Sequence, residues 1–460
     1  MRILIHSQAG DIGGVALQMI REGAKVDLFI KEKSYRRSMD GLVPKVETIE
    51  EGLSNKPDFV LFDLNGDGEL ADKIRKDGYK VIGSSALADK LEMDRAYGGK
   101  VAKQYGIKVP GTTEFKDIKL AIAFVKEGKK PYAIKIDNNK SEASSFVAKD
   151  ADEMVDYLTH SQEEGLITSS DTFVIQEVVK GAEISTEVWF SDGNPIWPAN
   201  STFETKKFLA GELGQRTGCE TSVVFHYEGD RSKVVDRTIR KILPLMKYSK
   251  YTGPVDVNCI VSEKDHEPYF LEWTPRLGYS AIYAFMSMLG MPISQFFWNV
   301  AHGTKFTIPF KTLWGSSLKI SVPPYPANIE GKEATIQTYG KAEGLRINGK
   351  YGKDFIAIDV MKGKKTELQG AGCSCIIGEC LGRGSTVLEA WKGSKKVFDS
   401  VEVPNKQGRY TDGIDDAWKR ILKLREMGYT DVPNPSVKIS GGGEKSAYPL
   451  SASKPSPVHI

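Results

Sequence analysis

The sequence predicts an α/β fold at its N-terminus, then a larger α+β region, then a small β-rich end. Three observations predict it: an opening strand–turn–helix–strand unit, a change of texture near Lys90, and a strand-dense stretch from residue 318. Arg2-Ile3-Leu4-Ile5-His6 is a short apolar run, and the Gly-rich turn Gly10-x-x-Gly13-Gly14 follows it. A helical period through Val15, Met19 and Ile20 then leads to a second strand, Lys25–Ile30. A βαβ unit of this kind calls for parallel pairing. Further strands are expected at Phe59–Asp63 and Lys80–Gly83.

From Lys90 the pattern predicts a helix over 90–105, ended by Gly106 and the break Val109-Pro110-Gly111. Strands at Tyr132–Ile136, Ser145–Val147 and Phe173–Val178 alternate with a helix at 151–160. A strand at Glu183–Phe190 turns at Ser191-Asp192-Gly193-Asn194-Pro195. A helix over 230–247 precedes a strand pair, Gly253–Val261 and Pro268–Trp273, joined by a charged hairpin. The β-rich part closes with a helix at 413–427. The organisation expected is 1–88, 89–315 and 316–432, with a Gly/Ser/Pro-rich tail at 433–460 expected to be disordered.

The 460 residues suit about three domains at ~150 residues each. Sixty-three Lys+Arg against sixty Asp+Glu leave +3, spread along the chain, which argues against nucleic acid as the main partner. No apolar run approaches ~18 residues and no signal peptide precedes the first strand, so a cytoplasmic protein without a membrane span is expected. Five cysteines without a framework fit a reducing compartment. Cys373, Cys375 and Cys380 have poor zinc spacing and no nearby His, so they read as buried thiols on a sheet.

Four segments carry chemistry. Gly10, Gly13 and Gly14 stand where a phosphate could approach bare backbone at a helix N-terminus, or where a strand simply turns tightly into a helix. Lys135, inside the apolar strand Tyr132–Ile136, must direct its ammonium into a wet or anionic place. Gln176-Glu177-Val178-Val179-Lys180-Gly181-Ala182-Glu183 is a short hinge whose backbone can meet adenine, with Glu183 available to ribose hydroxyls; an acidic turn is the plainer reading. Asp256 and Glu272 are expected to face one another across the hairpin, a pair that repels unless a cation such as Mg²⁺ lies between them. Arg276 adds a fork-shaped cation for phosphate or acyl-phosphate oxygens, and a structural salt bridge among these three is the alternative.

These elements in this order resemble the ATP-grasp superfamily, and within it the phosphoribosylamine–glycine ligase family, over nearly the whole chain to about residue 430. Besides Gly10–Gly14, a second loop, Asn65-Gly66-Asp67-Gly68, matches a family substrate loop. Leu91-Glu92-Met93-Asp94-Arg95 stands for L-E-x-S-K, and Tyr105-Gly106-Ile107-Lys108-Val109-Pro110 for the family's Y-G-I-P stretch. Gln176 to Glu183 matches E-E-F-L-x-G-x-E. Glu204-Thr205-Lys206-Lys207 and Thr217-Gly218-Cys219 stand for D-H-K-R and T-G-G, and Glu272-Trp273-Thr274-Pro275-Arg276-Leu277-Gly278 for E-F-N-x-R-x-G. Three departures stand out: Thr274 replaces the metal-binding Asn, Cys219 interrupts G-G-M-G, and the flap at 137–145 has no glycine.

The resemblance implies a Rossmann-like N-terminal domain, a two-lobed ATP-grasp domain and a small β-rich C-terminal domain. It also implies ATP-driven amide formation from a carboxylate and an amine through an acyl phosphate, as in purine biosynthesis. ATP would meet Arg95, Lys135, Lys140, Gln176, Glu177, Val178, Val179 and Glu183. The substrates, with phosphorylated ones in the class, would meet Gly10, Gly13, Gly14, Asn65, Gly66, Lys206, Thr217 and Gly218. Mg²⁺ or Mn²⁺ would be held by Asp256, Glu272, Asn258 and Thr274, with Lys135 and Arg276 catalytic. A monomer or homodimer is expected. Two alternatives stay open: the same chemistry on another amine or amino acid, and an ATP-binding protein whose catalysis has lapsed.

Overall fold

The computed structural model describes residues 1–136, 145–168, 170–326, 342–349, 352–365 and 367–436. Lys140, most of the expected flap and residues 437–460 of the tail lie outside them.

The opening unit is a parallel sheet. β1 (Arg2–Ser7), β2 (Lys25–Ile30), β3 (Phe59–Phe62) and β4 (Val81–Ile82) lie in the order β2-β1-β3-β4. Helices cover both faces, so Leu4 packs with Val60 and Phe62 on one side and Ile3 with Phe59 and Leu61 on the other. That is why β1 is a continuous apolar run rather than an alternating one. The second glycine pair of the turn is a packing feature. A Cβ on Gly14 would stand 2.3 Å from Ile356 Cγ2 and 2.6 Å from the Ala357 carbonyl oxygen. Gly14→Ala is therefore expected to push two distant parts of the chain apart, costing about 1–3 kcal/mol by overpacking, read as a lowered midpoint of thermal unfolding.

The helix expected over 90–105 is two helices, Ala86–Met93 and Arg95–Gln104. Asp94 causes the break: its backbone is extended (φ −98°, ψ 92°) and its carboxylate accepts the Tyr97 N–H at 2.8 Å, capping the second helix. β5 (Thr112–Phe115), β6 (Tyr132–Ile136), β7 (Ser145–Val147) and β8 (Phe173–Glu177) form a second sheet, ordered β5-β8-β6-β7. Helices Ile118–Gly128 and Ala151–Glu163 close a separate core on it around Val125, Ile134, Leu158 and Phe173.

The third sheet is the backbone of the molecule. β9 (Gly181–Ser191) and β10 (Asn194–Leu209) join through Asp192 and Gly193, both with positive φ, the pair a tight two-residue hairpin requires. β11 (Leu213–His226), β12 (Gly253–Ser262), β13 (Pro268–Thr274) and β14 (Trp314–Ser321) follow. The expected helix 230–247 is interrupted at Thr238 (φ −126°, ψ −96°), leaving Lys233–Arg237, a 3₁₀ turn and Leu243–Ser249. β15 (Arg346–Gly349), β16 (Phe355–Ala357), β17 (Val360–Lys362), β18 (Leu368–Gly370), β19 (Ile376–Gly384) and β20 (Val401–Glu402) complete the strands. Eight of them make one sheet, β13-β12-β9-β10-β11-β14-β19-β16, so pairing runs without a gap from the Glu272 hairpin to the C-terminal part. Helices Val387–Ser400 and Asp415–Glu426 come last; the sequence reading missed the first of these.

Candidate functional site

The hinge Val178–Lys180 joins β8 of the second sheet to β9 of the third, so the segment expected to meet adenine lies between two lobes. Gly181, at the start of β9, comes so close to β12 that a Cβ would lie 1.9 Å from the Val261 carbonyl oxygen. Gln176 is buried and donates to Thr112 Oγ1 at 3.1 Å. Glu177 is exposed and accepts from Lys130 Nζ at 2.5 Å. Val178 and Val179 are half-buried.

Across the cleft, the two lobes meet through Lys135. It projects from β6, and its Nζ donates to the Leu271 carbonyl oxygen on β13 at 2.6 Å. Burial lowers its pKa to about 8, against the pull of Glu272. Glu272, the next residue on β13, accepts from Arg95 Nη1 at 2.5 Å. Burial disfavours its charge, but Arg95, Lys206 and Lys135 outweigh that and hold its carboxyl well below the usual range. Lys206 is 3.7 Å from Glu204 and 4.0 Å from Glu183; burial opposes its charge, and these acids more than compensate. Lys135, Arg95, Lys206, Glu183 and Glu272 therefore form one charged cluster between the lobes.

The register of the hairpin corrects one expectation. Asn258, not Asp256, stands opposite Glu272, and Asp256 stands opposite Thr274. Residues two apart share a face, so all four still point the same way. Asn258 Nδ2 lies 3.4 Å from Glu272 Oε1 and 3.5 Å from Thr274 Oγ1. Asp256 instead accepts from Ser185 Oγ and is the cross-strand partner of Glu187. Burial and then Glu187 push its carboxyl up to about 8; burial lifts Glu187 to about 7. Among the described residues, no group of three or more His, Cys, Asp or Glu side chains could hold a metal by itself. One ionised carboxylate beside an amide and a hydroxyl does fit Mg²⁺, which commonly takes one or two carboxylates and draws the rest of its oxygens from phosphates and water.

Arg276 follows β13. Its Nε donates to Glu92 Oε1 at 3.2 Å, its Nη1 to the Leu277 carbonyl at 2.9 Å, and its guanidinium lies 4.6 Å from the Tyr279 ring centre. Burial opposes its charge, and Glu92 more than compensates. Asn65 donates to the other oxygen of Glu92 at 2.7 Å, tying the second N-terminal loop to Arg276.

The loops expected to receive phosphate are occupied from within. Gly66 and Gly68 give their N–H groups to Asp89, at 2.9 and 2.7 Å. Gly10 gives its N–H to Ser7 Oγ at 2.8 Å, and Ser7 donates in turn to Asp63. Gly13 bonds the Gly10 carbonyl, and Gly13 and Gly14 are both buried. Thr217 and Gly218 lie not in a loop but in β11, where Thr217 donates to the Lys206 carbonyl at 3.0 Å. All five cysteines are free, and all but Cys373 are buried. Cys373 and Cys375 precede β19 rather than lying on it.

The chain is similar to known proteins over most of its length. Residues 93–280 match the family model described as phosphoribosylglycinamide synthetase, ATP-grasp (A) domain. A phosphoribosylamine–glycine ligase of Chlorobaculum tepidum is 24% identical over 289 residues, 60% of this chain and 67% of that protein. One from Helicobacter pylori is 22% identical over 368 residues, 78% of this chain and 80% of its own. Among solved structures, phosphoribosylamine–glycine ligase from Thermotoga maritima superposes with a TM-score of 0.68 at 18% identity, covering 89% of this chain and 99% of that one. Biotin carboxylase from Campylobacter jejuni gives 0.63 at 15% identity, covering 94% and 96%. No described helix is long and apolar enough to cross a membrane. With the two lobes, the hinge between them and the charged cluster in place, the chain is similar to phosphoribosylamine–glycine ligases over most of its length and matches their ATP-grasp domain over residues 93–280.

Proposed function

We propose that the protein is an ATP-dependent ligase that joins a carboxylate to an amine through an acyl phosphate, in the manner of phosphoribosylamine–glycine ligase, and works in the cytoplasm. The observation that carries this reading is the meeting of Lys135 from one lobe with ionised Glu272 from the other, beside Lys206 and Glu183. Adenine lies against the hinge Gln176–Val179, and Glu183 accepts the ribose hydroxyls. Glu272, with Asn258 and Thr274, would hold Mg²⁺ or Mn²⁺, which neutralises phosphate charge when bound. The substrate carboxylate attacks the γ-phosphorus, the bond to ADP breaks, and an acyl phosphate forms. The amine then displaces phosphate and loses a proton, leaving the amide. Lys135 and Arg276 stabilise the charge that builds on the transferred group by being already fixed in place.

The direct test is a phosphate-release screen of carboxylate and amine pairs with Mg-ATP, glycine and phosphoribosylamine included, with products read by mass. The reading fails if no pair releases phosphate. A second reading, an ATP-binding protein without turnover, is favoured by the Arg95–Glu272 pair at 2.5 Å, since a fixed cation sits on the carboxylate that would take the metal. Tight Mg-ATP binding by calorimetry with no phosphate release selects it.

The lowered pKa of Lys135 gives a signed prediction. Free Lys135 loses its proton as pH rises through about 8, and nucleotide phosphates favour the protonated form. Between pH 8 and 9 (on the order of one unit above that value), ATP binding is expected to take up protons and weaken as pH rises. Calorimetry in two buffers of different ionisation enthalpy measures the uptake; proton release, or none, contradicts it.

A further inference from the structure

The face of the large sheet that carries Glu272 and Lys206 continues beyond β10 into a second charged row. Glu204 pairs with Ser222 on β11, Ser222 with Ser317 on β14, and Lys319, two residues on, with Glu379 on β19. Glu220, two residues before Ser222, reaches Lys319 from the other side at 3.9 Å. The three side chains are almost fully buried: Glu220 is 0% exposed, Glu379 1% and Lys319 5%.

Their internal bonds account for only part of their capacity. Tyr325 OH donates to Glu220 Oε1 at 2.6 Å and lies 3.2 Å from Lys319 Nζ; Ser280 Oγ donates to Glu379 Oε1 at 2.7 Å. The second oxygens, Glu220 Oε2 and Glu379 Oε2, are buried and have no partner among the described residues. A buried carboxylate oxygen without a donor is destabilising, so the two mark a place where the N–H groups of a ligand can be received. Burial pushes up the carboxyl of Asp11, inside the first Gly-rich turn, and Lys319 is the first of the cations that pull it back. Two acids, Glu220 and Glu379, thus flank one ammonium, while Arg276 is engaged by Glu92.

Phosphate recognition shows the opposite pattern. It uses free backbone N–H groups at a helix N-terminus, or unpaired cations. Here the N–H groups of Gly66 and Gly68 are taken by Asp89, and that of Gly10 by Ser7. Gly14 is sealed against Ile356 and Ala357.

Within the ligase reading, on which this step rests, we infer that the acceptor end of the site takes a cationic, unphosphorylated amine, whose N–H groups are received by Glu220 and Glu379 on either side of Lys319. The acceptor then differs in charge from a phosphorylated sugar amine, and the buried acids replace a phosphate cradle as the source of selectivity.

Calorimetry on the full chain with ADP present tests this, using 1,4-diaminobutane and D-ribose 5-phosphate as probes. The diamine is expected to bind and ribose 5-phosphate to give no heat. Glu220→Gln and Glu379→Gln, near-isosteric changes, are each expected to weaken diamine binding about tenfold or more and leave ADP affinity unchanged. Ribose 5-phosphate binding more tightly than the diamine overturns the assignment, and needs no variant. So does no diamine binding at all, or diamine binding that neither substitution moves. Because binding is read without turnover, a chain that binds the diamine through these residues yet releases no phosphate with any amine counts against the ligase reading alone.

Discussion

Lys135→Met is expected to lower ATP-dependent phosphate release by about 10²–10³-fold while leaving the protein folded. The magnitude follows from removing one preorganised donor aimed at developing charge, worth roughly 3–4 kcal/mol of barrier. Folding should survive because the nucleotide-free protein gains little from this ammonium. Burial already drives its pKa down to about 8, so the charged form is disfavoured there. Met fills the same stem volume, and the Leu271 carbonyl loses one donor, a cost of about 1 kcal/mol. Stopped-time phosphate assays together with thermal unfolding check both halves. A loss below tenfold would remove Lys135 from the chemistry, and a collapse of the unfolding midpoint would make it a structural bridge between the lobes.

Arg276→Lys is expected to cut kcat by about 10²-fold with little change in KM for ATP, since the guanidinium serves the transferred group rather than the nucleotide. Lysine keeps the charge but cannot reproduce the fork that reaches Glu92 and the Leu277 carbonyl together. Glu92 would keep only Asn65 among these bonds, so the second N-terminal loop should loosen as well. Hydrogen exchange around residues 64–68 reads that loosening, and steady-state kinetics read the rest. An unchanged kcat would assign Arg276 to structure alone.

Much of the scaffold was legible because its strands are apolar and alternate. Gly253–Val261 and Pro268–Trp273 each fall one residue short of the strands found. What the pattern could not supply was register. A bulge between Asn258 and Cys259 shifts the pairing by one residue, and that shift decides that Glu272 faces Asn258. Helix breaks were lost for a similar reason: the 90–105 period continues through Asp94, yet a side chain competing for the Tyr97 N–H ends one helix and starts the next. The long hairpin of β10 and β11 was not read as strands at all, because its polar positions, Glu204 and Lys206 among them, face the site rather than solvent.

The nucleotide end was legible through the order of its motifs, and Lys135 through a local conflict, a lysine in an apolar strand. Lys319 in Ser317-Leu318-Lys319-Ile320 carries the same conflict and went unread, because no motif drew attention to it. Glu220 and Glu379 gave no local sign at all. Only the alignment of β11, β14 and β19 side by side makes them neighbours of one ammonium.

The uninterrupted eight-stranded sheet has a practical consequence for anyone building chimaeras from this chain. β14 straddles position 315/316 and is hydrogen-bonded to β11 on one side and β19 on the other. A splice at that point would leave the strand beside Glu220 with a bare row of amide and carbonyl groups, an invitation to pair with another molecule. Donor and recipient must therefore be exchanged with β14 and β19 together, or the transplanted half will assemble with its neighbours instead of with its host.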